Sequence, residues 1–227
     1  MNSNFNSMVV DENNKHHDII QEDFIDDYKN LTYKTTMGWR WASEFCPDAE
    51  YVASADADVL LNVHNIVRRL VNKPRKDYAE GNVHTKAFPA RGTSKWHTSV
   101  ELYPEPTYAP YFSGVCYVLS TDVAAGVFKE SVHVRFLPWD DVFVGLVLKR
   151  LGVKLKHVRK YLQTPSTENA IEKALAHGQA VHVGHIDIKK PGKTVKLMAI
   201  WEKVARAPKV TEQGVLMYFL HDYLGLI

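Results

Sequence analysis

Residues 51–62 read YVASADADVLLN. The apolar run 51–55 is short, which is typical of a buried strand. It leads into Asp56-Ala57-Asp58, so two carboxylates lie at the tip of the predicted strand. Carboxylate oxygens are ligands that Mg²⁺ and Mn²⁺ prefer, provided that the chain bends enough for both to face one cation. The same triplet also fits an ordinary solvated loop or cap, because chance supplies it in many chains.

Amphipathic helices are predicted on both sides of this strand. Before it, apolar residues recur at intervals of three and four between Asp18 and Phe45, with a break near Asn30 and a stop at Pro47. After it, residues 63–71 carry their apolar side chains on one helical face. A strand that is followed directly by a helix indicates an α/β arrangement.

The rest of the chain continues this alternation. Residues 72–110 are rich in proline and aromatic residues, which predicts loops with short strands. Ser120 is the expected cap of the next helix, and Gly152 is the expected end of the helix after that. The remaining predicted strands are 115–119, 153–158 and 180–185, and the remaining predicted helices are 121–130, 142–151 and 194–205. The sequence therefore predicts an α/β fold.

The amino terminus differs in composition from the remainder. Residues 1–17 are rich in asparagine, serine and charge, with a single apolar island at 8–10. We expect this leader to be mostly disordered. Residues 18–227 show no internal repeat and no linker, so we expect them to form one domain.

Composition and charge exclude several classes of protein. The chain has 227 residues, of which 45% are hydrophobic and 24% charged, as in globular proteins. The net charge is only +2 and the basic residues are interspersed with acids, so no nucleic-acid partner is expected. No apolar run is long enough to span a membrane. The two cysteines, Cys46 and Cys116, allow at most one disulfide and form no zinc-binding pattern.

Three further groups of residues have both a functional and a structural interpretation. Asp140 and Asp141 start a predicted helix, either as capping residues or as the source of a general base. His182 and His185 point to opposite faces of a predicted strand, so at most one binds a metal, and an ordinary exposed or core histidine is the alternative. Four aromatic residues form either a sugar-stacking platform or a small satellite core, namely Trp96, Tyr103, Tyr108 and Tyr111.

Longer motifs connect these groups. Residues 18–62 place a helix, a Cys-Pro turn and a strand before the Asp56-Ala57-Asp58 triplet. Further motifs are Lys95-Trp96, Tyr103-Pro104, YAPYFSG at 108–114, YVLS at 117–120 and DDVFVG at 140–145. In this order, they closely resemble the β-1,3-galactosyltransferase family of inverting glycosyltransferases. The resemblance covers residues 18–204.

The resemblance implies a fold and a set of site residues. The fold is GT-A, in which a mixed sheet lies between helices and the donor binds at the strand ends. Asp141 falls on the catalytic base of the family. The motif Asp56-Ala57-Asp58 falls on the donor-binding motif, whose acids hold Mn²⁺ together with a late histidine that best matches His185, with His182 as the alternative. The residues expected to contact substrate are Trp96, Tyr111, Ser113, Gly114 and Asp140.

The resemblance also implies an activity and a location. The reaction is transfer of a hexose, galactose by best match, from a UDP-sugar to the 3-hydroxyl of a glycan on a glycoprotein or glycolipid, with inversion. The family works in the Golgi lumen as type II membrane proteins, and its anchor, stem and first strand precede the region matched here. We therefore expect the chain to be truncated at its amino terminus, with membrane association only through an anchor that it lacks. The alternatives are a non-catalytic truncated isoform or paralogue that binds no donor, and an unrelated α/β binding domain.

Two places depart from the family pattern. Phe112 stands where the family has a cysteine before Ser113, and Val115-Cys116 stand where it has a glycine-rich stretch. These differences predict a bulkier wall beside the acceptor and an altered disulfide.

Overall fold

The computed structural model of the protein describes residues 3–56, 59–158, 182–183, 198–199 and 201–202. None of the helices in this part of the chain is long and apolar enough to cross a membrane. The helices are α1 (Ser3–His16), α2 (Leu31–Phe45), α3 (Val63–Leu70), α4 (Thr121–Ser131) and α5 (Asp140–Leu151), with a short 3₁₀ helix (Tyr28–Asn30) before α2. The strands are β1 (Tyr51–Ala55), β2 (Leu60–Leu61), β3 (Ala79–His84), β4 (Tyr111–Ser120), β5 (Leu155–His157) and β6 (His182–Val183).

Four of these strands form a mixed sheet in the order β1-β4-β3-β5. Strand β4 pairs antiparallel with both β1 and β3, whereas β5 pairs in parallel with β3. Strands β2 and β6 form a separate antiparallel pair. A mixed sheet flanked by helices confirms the predicted α/β class and is consistent with a GT-A-like fold.

Helices cover both faces of this sheet because successive side chains of β4 point in opposite directions. Tyr117 and Leu119 belong to the larger core, which also contains side chains of α2, α4 and α5. Cys116 and Val118 belong to the smaller core, with Ile66 of α3. The larger core therefore fixes α5 against the central strand.

The amino-terminal segment differs from the prediction. Residues 3–16 form helix α1, so the expectation of disorder over residues 1–17 is wrong for this stretch. The segment contains no glycine or proline to interrupt a helix. Lys15 and His16 also lie in its last turn, where positive charge is favourable. The division into a leader and a domain at residue 18 stays a prediction.

The helix predicted from Asp18 onward is wrong over its first part. Residues 18–27 are not helical, although the predicted break near Asn30 is confirmed by the start of α2. Polar side chains compete for the backbone in this segment. Asp27 Oδ1 accepts a hydrogen bond from the N–H of Lys29 at 2.8 Å, and the Asn30 amide donates to a backbone carbonyl at 2.8 Å.

Most other predicted elements are confirmed. Strands β1 and β5 and helix α3 lie within their predicted ranges, whereas β4 extends further towards the amino terminus. Gly152 ends α5 with a φ of 73°, the left-handed conformation that glycine adopts at helix ends. Ser120 precedes α4 without a capping hydrogen bond, because its hydroxyl accepts from the N–H of Tyr78 instead, at 3.0 Å. Only 182–183 of the strand predicted at 180–185, and 198–199 and 201–202 of the helix predicted at 194–205, lie among the described residues.

The residues that depart from the family pattern are buried in the sheet. Phe112 is 2% exposed and stacks on Tyr117, with ring centroids 5.4 Å apart. Val115 and Cys116 are buried as well. The added bulk therefore lies in the core and not in a wall beside an acceptor. Cys46 and Cys116, which both fall in the described part of the chain, are thiols that no disulfide joins.

Candidate active site

Helix α5 crosses the start of β4 in very close contact. A Cβ atom added to Gly145 would lie 2.4 Å from Tyr111 Cβ and 2.9 Å from the carbonyl oxygen of Pro110, so only glycine fits at this position. One turn earlier in α5, Asp141 faces Gly114 of β4. A Cβ atom added to Gly114 would lie 3.7 Å from Asp141 Oδ2. The close approach at Gly145 therefore positions the Asp141 carboxyl over β4.

The Asp141 carboxyl is partly buried and its pKa is raised. The N–H of Val142 donates to Asp141 Oδ1 at 2.7 Å, and the backbone of Gly114 forms a second hydrogen bond. Burial is the main cause that raises the pKa from its ordinary 3.8 to about 7, followed by the charge of Asp140, and the charge of Asp56 adds to both. The two backbone hydrogen bonds act in the opposite direction. A carboxyl with a pKa near 7 suits a general base at neutral pH.

Asp140 has a different environment from its neighbour. Thr35 of α2 donates its hydroxyl hydrogen to Asp140 Oδ2 at 2.8 Å, which joins α2 to the start of α5. The N-cap of α5 is Trp139, so the interpretation of Asp140 as the capping residue is wrong. Both acids do lie in the first helical turn, where the helix dipole favours negative charge.

Asp56 follows β1 and lies beside the same part of β4. Its N–H donates to the carbonyl oxygen of Val115 at 3.3 Å. Its side chain is exposed, and its charge raises the pKa of both Asp141 and Cys116. Asp56 and Asp141 therefore lie beside neighbouring residues of β4, Val115 and Gly114, where they form one acidic site.

The first part of β4 lines this site. Tyr111, Ser113 and Gly114 are each partly exposed there. Burial, followed by the charge of Asp141, raises the pKa of the Tyr111 hydroxyl to about 12. Tyr111 therefore keeps its proton at neutral pH and can donate a hydrogen bond near the carboxyl of Asp141.

Three of the residues predicted at the donor site lie outside the described residues, namely Ala57, Asp58 and His185. The segments next to them are described. Leu60 pairs with Val183 across the β2–β6 ladder. Leu60, which is two residues after Asp58, therefore lies beside Val183, which is two residues before His185.

The structure describes only some of the residues predicted to bind the metal, namely Asp56 and His182 but not Asp58 or His185. Among the described residues, no group of three acidic, histidine or cysteine side chains could hold a metal ion. Asp56 itself fits Mn²⁺, because it offers a hard oxygen ligand in an exposed position. Asp56 and Asp58 with either His185 or His182 stay the predicted donor set, and carboxylate and imidazole are ligand types that suit this cation.

The four aromatic residues singled out in the sequence divide into two groups. Tyr108 is 8% exposed and lies in the larger core, with ring centroids 5.0 Å from Tyr103 and 6.2 Å from Tyr111. Tyr103 and Tyr108 therefore have a structural role, although in the larger core and not in the small satellite core that was predicted. Trp96 differs, because it is 53% exposed.

Sequence reasoning missed two residues that shape the site. Thr35 reaches Asp140 from 105 positions away in the sequence, and nothing in the local pattern marks it. Trp139 donates from its indole nitrogen to Thr98 Oγ1 at 2.8 Å, which ties the start of α5 to the loop before β4. The position of Trp139 directly before the two acids is a signal that could have identified it.

Replacing Gly145 by alanine is expected to lower the free energy of unfolding by about 1–3 kcal/mol, because the new methyl group overlaps Tyr111 and Pro110 and forces α5 away from β4. Chemical denaturation measures this loss. The matched control is Gly126→Ala in α4, whose methyl group would meet only the flexible end of Leu151 at 3.3 Å. Equal stability of the two variants would contradict the close contact described here.

Comparison with known proteins identifies the class to which this fold and site belong. The profile of the galactosyltransferase family matches residues 1–159, and the chain belongs to that family.

Individual relatives agree with this assignment. Beta-1,3-galactosyltransferase 1 of Homo sapiens and that of Mus musculus are each 45% identical to the chain over 152 residues, which is 65% of this chain and 46% of the relative. Beta-1,3-galactosyltransferase 5 of Pan paniscus is 42% identical over 152 residues, which is 66% of this chain and 50% of the relative. The matched region thus spans about half the length of these relatives.

Proposed function

We propose that the chain is part of a UDP-sugar-dependent inverting hexosyltransferase, namely a β-1,3-galactosyltransferase that uses UDP-galactose and a glycan acceptor on a glycoprotein or glycolipid. Membership of the galactosyltransferase family supports the transfer of galactose. The observation that carries the proposal is the Asp141 carboxyl, whose pKa is raised to about 7 beside the exposed Asp56. A general base next to a candidate metal ligand is the arrangement that this transfer requires.

Asp141 is the proposed catalytic base. Its carboxylate removes the proton of the acceptor 3-hydroxyl while that oxygen attacks the anomeric carbon of the donor. With a pKa of about 7, the group is a stronger base than an ordinary aspartate and is still substantially ionised at neutral pH. The attack comes from the side opposite the departing UDP, so the α-linked donor gives a β-linked product.

Asp56, Asp58 and His185 are the proposed ligands of Mn²⁺, with Ala57 between the two acids of the donor-binding motif. When bound, Mn²⁺ supplies Lewis-acid stabilisation of the charge that grows on the departing diphosphate. The contribution of the chain is to hold the ligands close together. The β2–β6 pairing supports this role, because it joins segments that lie two residues from Asp58 and two residues from His185.

The proposed contacts to the reacting sugars come from the two elements that border Asp141. Tyr111, Ser113 and Gly114 lie on the exposed part of β4, and Asp140 lies on α5. Their hydroxyl, backbone and carboxylate groups can hydrogen-bond sugar hydroxyls and hold the acceptor near the base. Trp96 is the proposed stacking residue for the acceptor.

The alternative, a non-catalytic relative that binds no donor, has less support. In a non-catalytic protein, a buried Asp141 beside Asp140 would only destabilise the fold, because burial of charge has a cost in free energy. By family resemblance, the proposed location is the Golgi lumen, in a type II membrane protein.

The first test of the proposal is the dependence of UDP binding on Mn²⁺. Calorimetry should detect UDP binding in the presence of Mn²⁺ and much weaker binding in its absence, because Mn²⁺ held by Asp56 and Asp58 would offset the negative charge of the diphosphate. Asp58→Ala should abolish this dependence while the protein stays folded.

The matched control for this test is Asp48→Ala, which removes an exposed aspartate in the turn before β1. This variant should bind UDP with the same metal dependence as the native chain. Equal UDP affinity with and without Mn²⁺ in the native chain would contradict the metal assignment.

A further inference from the structure

An exposed aromatic platform is formed by Lys95 and Trp96, in the loop before β4, together with Tyr28, in the 3₁₀ helix before α2. Tyr28 and Trp96 are 46% and 53% exposed. The indole N–H of Trp96 donates to the Tyr28 hydroxyl at 3.0 Å, which links the two rings. Lys95 Nζ lies 4.5 Å from the centroid of the Trp96 ring and 5.3 Å from that of Tyr28. The platform therefore combines two large aromatic surfaces with one positive charge.

The loop that carries this platform is held in place by its own hydrogen bonds. Ser94 Oγ accepts from the N–H of Trp96 at 3.1 Å, and the N–H of Thr98 donates to the carbonyl oxygen of Ala90 at 2.9 Å. The Arg91 guanidinium donates to three backbone carbonyl oxygens further along the loop, at 2.7–3.0 Å. A ligand would therefore meet the exposed rings in a preformed arrangement, which lowers the entropy lost on binding.

The platform is connected to the start of α5. The Tyr28 and Trp139 rings lie 6.1 Å apart, and Trp139 directly precedes Asp140 and Asp141. The Trp139 indole also donates to Thr98, in the platform loop. The platform is therefore packed against the residue that begins the helix carrying Asp141.

The polar groups of the platform select the charge of its ligand. No carboxylate in the described part of the chain forms a salt bridge with Lys95. The Tyr28 hydroxyl accepts the bond from Trp96, so its own hydrogen is available for donation. Both groups therefore offer donors to an anion, while the aromatic faces offer a stacking surface for the C–H groups of a sugar ring.

We propose that the platform of Tyr28, Lys95 and Trp96 is an acceptor subsite that binds an acidic saccharide, through stacking on Trp96 and contact of Lys95 with a carboxylate or sulfate group. This inference rests on the proposed function, because it assigns the platform to the acceptor glycan. It adds that negatively charged acceptors bind in preference to neutral ones.

The test compares binding of lactose, sialylated lactose and sulfated lactose to the full chain by calorimetry. Both acidic probes should bind roughly fivefold more tightly than lactose, as expected for one exposed ion pair. Lys95→Gln should remove this preference and leave the affinity for lactose unchanged. Trp96→Ala should weaken the binding of all three probes by roughly tenfold, through the loss of stacking.

Two control variants show whether these effects belong to the platform. Lys156→Gln removes another lysine that lies over an aromatic ring, 4.2 Å from the centroid of Tyr78. Phe88→Ala removes another exposed aromatic side chain, which is 76% exposed. Neither control should change the affinity for any probe.

Equal affinity for the neutral and both acidic probes would overturn the charge preference. Unchanged binding by Trp96→Ala would overturn the platform itself. Preference for only the sialylated or only the sulfated probe would support the proposal and identify the anionic group as a carboxylate or a sulfate.

UDP binding, measured on the same protein samples, tests the proposed function separately. If the native chain binds the saccharides but does not bind UDP, that result would contradict the transferase proposal alone.

Discussion

Asp141→Asn is expected to lower turnover by about a hundredfold or more, as is typical for the loss of a general base. Asparagine has nearly the same shape, and its amide oxygen can still accept the hydrogen bond from the N–H of Val142, so the helix start should keep its position. It cannot take the proton of an attacking hydroxyl. Binding of UDP and Mn²⁺ should therefore stay nearly unchanged, which calorimetry on the same variant measures.

Asp140→Asn is the matched control for this loss. It removes one of the charges that raise the pKa of Asp141, so the fall in activity towards acidic pH should move to lower pH while turnover at higher pH falls much less. Substantial turnover by Asp141→Asn would contradict its role as the base and make Asp140 the next candidate.

The same variant, Asp141→Asn, is expected to be more stable than the native chain at alkaline pH. The pKa of Asp141 in the folded chain, about 7, lies above the ordinary 3.8, so the folded chain binds a proton between these values that the unfolded chain releases. The aspartate therefore destabilises the fold increasingly as the pH rises from about 4 to about 7, and fully above that. Asparagine avoids this cost, on the order of 3 kcal/mol, because it stays neutral at every pH.

Urea denaturation at several pH values measures this difference. The stabilities of the native chain and the variant should be similar below about pH 4, where Asp141 is protonated in both states, and should diverge progressively up to about pH 7, above which the difference stays constant. Asp48→Asn, which changes an exposed aspartate, should show no comparable gain. A variant that is no more stable than the native chain at pH 8 would contradict the burial of the Asp141 charge. A gain in stability together with a loss of turnover is the pattern expected of a strained functional group.

Local sequence patterns predicted those elements that depend on the residue types within the element itself. Strand β1 was predicted from its apolar run and the end of α5 from its glycine, because a buried strand and a left-handed helix end each require particular residue types. Helix α1 and the irregular segment 18–27 were predicted wrongly. In the latter, Asp27 and Asn30 satisfy backbone groups with their side chains and override the apolar periodicity.

The contacts that assemble the candidate site could not be predicted from local sequence. Asp56 reaches the site through the hydrogen bond to Val115, which depends on the pairing of β1 with β4. The Thr35–Asp140 bond spans 105 positions and depends on the packing of α2 against α5. The raised pKa of Asp141 follows from this packing, because burial is its main cause.

Single-turnover transfer from UDP-galactose to a glycan acceptor, with the linkage of the product determined by NMR, tests directly whether Asp141 drives galactose transfer with inversion. The native chain should form a β-linked galactose product, and Asp141→Asn should form that product at least about a hundredfold more slowly. An α-linked product, or equally fast transfer by the native chain and the variant, would contradict the claim.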